Sequence, residues 1–231
     1  MNSQAQATAQ FKNAKQAKAA FAKFIIEANH PCLMAQTVFK KNQLRVRTYS
    51  DFGSEETAKK LLTDLEDYLA NYDFESKDFF TFIATFNTTE NYSEKHFEEL
   101  LWKQLQNLHE LDNQEWDETV SSNPADKDFS FSIAGKAFYI VGLHPNSSRK
   151  ARQAPMPAIA FNLHEQFEKL REMGAYQKVR DTIRSRDEKL QGYINPMLED
   201  FGEKNSEAKQ YSGRAVDAKW KCPFHSNFSH N

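Results

Sequence analysis

The sequence predicts an α+β fold, a single domain in which helices pack on a mixed or largely antiparallel sheet. Three observations predict it. Segments with apolar residues three or four apart are interleaved with short β-branched and aromatic runs. Two of those runs flank only Gly135-Lys136, the spacing of a hairpin and hence of antiparallel pairing. The 231 residues are 39% hydrophobic and include 19 Phe, enough apolar area to bury one continuous core.

The elements follow in order. From Gln4 to Ala28 the chain lacks Pro and Gly, and Phe11, Ala14, Ala17, Phe21 and Ile25 fall on one stripe of an amphipathic helix, within an N-terminal segment spanning residues 1–30. His30-Pro31 ends it, because a residue before proline disfavours helical angles; Cys32 to Lys40 then forms a second helix with Cys32 in its first turn. Leu44, Val46 and Thr48 alternate with Arg45, Arg47 and Tyr49 as in a half-buried strand. After the turn at Asp51-Phe52-Gly53, Ser54 caps a helix carrying Leu61, Leu62, Leu65 and Leu69. Asp78 to Phe86 is aromatic and β-branched, a buried strand. Ser93 caps a helix to His109 whose stripe is Phe97, Leu100, Leu101, Leu105 and Leu108, and residues 112–127 form a polar loop. The hairpin pairs Phe129–Ala134 with Ala137–Leu143. An aperiodic segment from His144 to Pro157 precedes a strand from Ala158 to Phe161, after which Asn162 and Glu165 form a capping box for a helix ending at Gly174. Tyr176 to Leu190 is a further helix, and residues 191–231 are irregular, placed to close over a site.

Composition excludes several classes. With 30 Lys+Arg against 32 Asp+Glu the net charge is -2, so no global field attracts nucleic acid. No run approaches the roughly 20 apolar residues of a membrane span, and the first residues lack a signal-peptide core, so a cytoplasmic location is expected. The two cysteines, Cys32 and Cys222, lie far apart and in a reducing compartment would remain thiols.

No standard catalytic signature is present: there is no phosphate-binding glycine loop, no HExxH and no paired CxxC. Four segments still carry more reactive groups than packing needs. In His30-Pro31-Cys32 the cysteine meets a helix N-terminus, whose free N–H groups favour thiolate, though a buried cysteine acting as a small hydrophobe reads the same way. In the segment from His144 to Arg152, Arg149 and Arg152 form a potential carboxylate clamp, or else a solvated basic loop. Residues 191–197 lead to Gln210-Tyr211-Ser212-Gly213-Arg214, where polar side chains would converge on a ligand or simply decorate two turns. Trp220-Lys221-Cys222-Pro223-Phe224-His225 places a thiol among cationic and aromatic groups.

The strings PC-x-x-A, HP-x-x-SR-x-x-R, FN-x-H-x-QF-x-x-LR, RD-x-x-LQG-x-x-NPML, QYSGR and W-x-CPF, spread over nearly the whole chain, resemble the YqcI/YcgG family. The resemblance implies a heme-dependent monooxygenase that hydroxylates an amino or guanidino nitrogen of a small amino-acid-like substrate, using heme b, O2 and electrons from an external reductase. It implies Cys32 as the iron ligand, with His144 and Cys222 as rivals, and Arg149, Arg152, Tyr211 and Arg214 as contacts to heme propionates or substrate. A cationic substrate nitrogen would call for an acidic partner, for which Asp187 or Glu199 are two candidates among too many carboxylates to choose from the sequence. The competing expectations are a heme sensor without turnover and a metal-free binder of a small anion.

Overall fold

The computed structural model describes Phe11 and residues 13–228. In chain order its elements are α1 (Ala14–Ala22), α2 (Leu33–Lys40), β1 (Leu44–Tyr49), α3 (Glu55–Ala70), β2 (Thr81–Phe86), α4 (Glu94–Leu111), β3 (Phe131–Ile133), β4 (Lys136–Leu143), β5 (Ala158–Leu163), α5 (His164–Glu172), α6 (Tyr176–Gln191) and α7 (Ala208–Tyr211). A π-helical turn, Lys23–Glu27, continues α1, and a 3-10 turn covers Lys150–Arg152. The strand order is β1-β2-β5-β4-β3. β1 and β2 are parallel, which the intervening α3 permits as a crossover, and the other pairs are antiparallel, so the sheet is mixed and the class is α+β as expected. Among the described residues no helix is long and apolar enough to cross a membrane.

The pleat divides the core in two. Phe82, Ala84 and Phe86 of β2, Ile159 and Phe161 of β5, and Phe138 and Ile140 of β4 join Leu61 and Leu65 of α3 and Leu101, Leu105 and Leu108 of α4 on one face. Arg45 and Arg47 reach α3 from the same face, 2.5 Å from Asp67 and 3.0 Å from Asp64, while the Tyr49 hydroxyl donates to Asp64 at 2.7 Å. On the other face Val46, Ile83, Ala158, Ala160 and Leu143 meet Ala17 and Phe21 of α1 in a smaller cluster. That face is incompletely filled, and the cavity described below occupies it.

Three local readings are corrected. β5 runs through Asn162 to Leu163, so Asn162 is not a helix cap: its side chain accepts from Thr81 Oγ1 at 2.9 Å and donates to the Tyr139 carbonyl at 3.3 Å. Pairing with β4 continues through that position, and α5 starts without a side-chain cap. The hairpin turn is Ala134-Gly135, with φ of 52° and 72°, rather than Gly135-Lys136; two successive left-handed residues give the turn whose twist matches the strands, and the Asp112 carboxylate steadies it by accepting from Ala134 N at 2.7 Å. Of the first helix, expected from Gln4, residues 4–10 and 12 lie outside the described residues; α1 itself starts after Asn13, whose side chain caps Gln16 N at 3.1 Å.

Candidate functional site

A cavity of about 300 Å³ lies on the second face, between the sheet and the helices that roof it. Its floor is Thr81, Ile83, Tyr139, Val141, Ala160 and Asn162; its walls include Phe21, Ile25, Val38 and Phe39; Ile183, Arg184 and Asp187 of α6 form its roof. A second chamber of about 200 Å³ adjoins it, and Met34, Tyr139, Phe167, Ile183, Arg184 and Leu198 border both.

Cys32, Arg149 and Arg152 all line the larger chamber. Cys32 is the N-cap residue of α2, and its Sγ accepts from Ala35 N at 3.4 Å. Burial pushes its thiol pKa up, and the backbone donors and the cations Arg152 and Arg186 oppose that only in part. The free thiol is therefore neutral, correcting the expectation that the helix N-terminus would leave it as thiolate. His30 holds this corner. Its Nδ1 accepts from Cys32 N at 3.1 Å and its Nε2 bonds the Ala151 carbonyl at 2.9 Å, which fixes the Nε2–H tautomer; burial lowers its pKa, so the ring is neutral.

Arg149 forms a buried ion pair with Asp187 and sits 5.2 Å from the Tyr193 ring centroid. Arg149 Nη1 and Asp187 Oδ1 are buried without any partner, one donor and one acceptor left over beside the same cavity. Such groups cost free energy unless a ligand or water satisfies them. Arg152 is different. Its Nη1 donates to the carbonyls of Gly142 at 2.9 Å and Tyr211 at 3.4 Å, and its Nη2 to Gln210 at 3.3 Å, so it acts as a strut between β4 and α7 rather than as an open clamp.

The remaining candidates fall elsewhere. His144 stacks on Phe97, 4.4 Å between centroids, outside the cavity; neither ring nitrogen has a partner, and burial first, then Arg152, pulls its pKa down to about 4. Tyr211 is corrected from ligand contact to core group: its hydroxyl donates to Glu207 at 2.5 Å and accepts from Phe131 N at 3.0 Å. Arg214 pairs with Glu98 of α4, with Nε 2.9 Å from Oε2, and is spent there. Cys222 packs against the α3/α4 side of the core, its thiol pushed up to about 12 by burial. The tail around it does not close over the cavity, because it docks on α4: His225 N donates to Gln106 at 3.0 Å, Asn227 N to His109 at 2.9 Å, and Phe224 lies 5.1 Å from the His109 ring. Only the part near Asn195, Leu198 and Gly213 borders the cavity. Glu199 lines the smaller chamber and accepts from Asn205.

The fold and site define a small α+β protein in which one sheet face and a helical roof enclose an apolar cavity carrying a buried, incompletely satisfied ion pair. The YqcI/YcgG family model matches residues 21–225, and the chain belongs to that family. It is 30% identical over 203 residues to YcgG of Bacillus subtilis (strain 168), covering 84% of this chain and 80% of YcgG. It is 29% identical over 210 residues to YqcI of the same organism, covering 86% of this chain and 81% of YqcI; both relatives are described as uncharacterized. No solved structure matches it.

Proposed function

We propose that the chain is a heme-dependent oxygenase that hydroxylates an amino or guanidino nitrogen of a small amino-acid-like substrate, with heme b in the cavity and Cys32 on the iron. One observation carries the reading: Cys32 and the Arg149–Asp187 pair, distant in sequence, open on one apolar cavity with an N–H and a carboxylate oxygen unpartnered.

The residues fit a heme in their donor chemistry. Cys32 would hold the iron, offering sulfur at a rigid helix start, and the Ala35 N–H that donates to this sulfur would stabilise its charge. Arg149 would hold a carboxylate through its free Nη1, and the aliphatic and aromatic walls would exclude water. When bound, the heme supplies activation of O2 and the one-electron chemistry, with electrons from an external reductase.

The chain's own residues do the rest. His30, neutral and bonded on both nitrogens, fixes the Cys32 backbone against the Ala151 carbonyl. Asp187 Oδ1, unpartnered beside the Arg149 pair, accepts from a substrate N–H and favours a cationic nitrogen. Incubation of the heme-loaded protein with O2, a reductase system and a panel of amino acids bearing amino or guanidino groups tests the reading. The expected product gains one oxygen atom on nitrogen. Heme-loaded protein that consumes no O2 above background with any of them refutes it.

A further inference from the structure

The roof of the cavity is unlike the rest of the fold. α6 is 16 residues long, and none of them is buried. Its apolar underside, Val179 and Ile183, faces the two chambers instead of a packed partner. What ties it to the body is polar: Arg186 Nη2 donates to Asn29 Oδ1 at 2.6 Å, Gln191 Nε2 to the Ser148 carbonyl at 3.1 Å, Lys150 N to Gln191 Oε1 at 2.8 Å, and Asp187 pairs with Arg149. The other end is tied by Arg184 and Tyr176, which reach Asp200 at 2.7 and 3.2 Å, inside the same C-terminal segment.

Both ends of the helix are glycines in the left-handed region, Gly174 at φ 66° and Gly192 at φ 93°, and nothing lies within 4 Å of where a Cβ would stand at either. Among the described residues the large exposed hydrophobic side chains also gather here: Met173 beside the first glycine, and Leu190, Tyr193 and Ile194 around the second. An element with little buried apolar area, polar ties that are exposed at Asn29, Ser148 and Lys150 though not at the Arg149–Asp187 pair, and unobstructed glycine termini belongs to the low-stability end of a fold. Separating it from the body breaks a few hydrogen bonds and three ion pairs, Arg149–Asp187, Arg180–Asp200 and Arg184–Asp200, without disrupting either hydrophobic cluster.

We propose that α6 is a lid, hinged at Gly174 and Gly192, that opens as a unit to admit ligand to the cavity and is latched through Asn29, Ser148 and Arg149. The lid stands whichever ligand the cavity takes. Cys32, beneath it, reports the opening. In a Cys222→Ser background, the rate at which a thiol reagent such as 5,5′-dithiobis(2-nitrobenzoate) labels Cys32 measures access. The double variant Asn29→Gly/Gln191→Ala removes latch bonds from side chains that do not line the cavity and leaves in place the Arg186 charge that acts on the Cys32 thiol. It should speed labelling about tenfold, the effect of losing one or two net hydrogen bonds, with the urea midpoint little changed. Hydrogen exchange followed by mass spectrometry should show residues 176–191 exchanging far faster than β2 and β4, and faster still in the double variant. An unchanged labelling rate, a rise that merely follows the loss of global stability, or α6 protection equal to that of the central strands would overturn the lid.

Discussion

Replacing His144 by Leu should flatten the acid side of the stability curve by an amount the structure fixes. The His144 ring is 1% exposed, stacked on Phe97 and unpartnered at both nitrogens, so the fold accepts it only as the neutral form. Its pKa is about 4 in the folded chain against 6.5 ordinarily. A depressed histidine pKa means that the unfolded state binds the extra proton first. The protonation penalty is therefore absent well above pH 6.5, and stability drains as pH falls from 6.5 towards 4. By linkage the loss between pH 7 and pH 5 is about 2 kcal/mol, approaching about 3 kcal/mol near pH 4. Glu207 pulls the other way across part of that range, because burial raises its pKa to about 8 from 4.5 and its contribution falls as pH rises. The comparison is accordingly between variant and parent. Urea unfolding of both at pH 7 and pH 5 should give a parent that loses about 2 kcal/mol more than His144→Leu, whatever the packing change does to both values equally. Parallel pH profiles would refute the reasoning and place a proton partner on the ring.

Two further outcomes follow from the same geometry. At Gly142 a Cβ would stand 2.6 Å from Leu101 Cδ1 and 2.8 Å from both Phe97 Cε1 and the Tyr211 carbonyl, so Gly142→Ala should cost about 1–3 kcal/mol in urea unfolding, and an unchanged midpoint would contradict the close approach of β4 to α4. Arg149→Ala should weaken heme or substrate binding by about 1.5–3 kcal/mol in a titration, whereas Arg152→Ala should chiefly lower stability, because it releases three carbonyls from their donor; equal binding losses in both would restore Arg152 as a ligand contact.

Periodicity made the helices and strands legible, since each stripe or alternation is a local record of which side is buried. It failed where a tertiary bond decided the outcome. Asn162 has the chemistry of a cap, but pairing with Tyr139 and the Thr81 hydroxyl hold it in β5. At the site, Cys32 and Arg149 were visible because a thiol at a helix start and a basic residue after an apolar strand stand out from their neighbours. Tyr211 and Arg214 look alike in sequence but are consumed by Glu207 and by Glu98, the latter 116 residues away. His30 stands in a segment the sequence singles out, but its own task depends on the Ala151 carbonyl, 121 residues distant, which no local pattern shows. Asp187 was one carboxylate among 32 acidic residues until α6 placed it against Arg149.

The measurement that bears most directly on the central claim is the absorption spectrum of the heme-loaded, reduced protein under carbon monoxide. A cysteine thiolate on iron shifts the Soret band far to the red of its position with histidine. The account predicts the red-shifted band in the unmodified protein and in Cys222→Ser, and its loss in Cys32→Ser. Failure to bind heme, a histidine-type band in the unmodified protein, or a red-shifted band that survives Cys32→Ser and disappears in Cys222→Ser would contradict it.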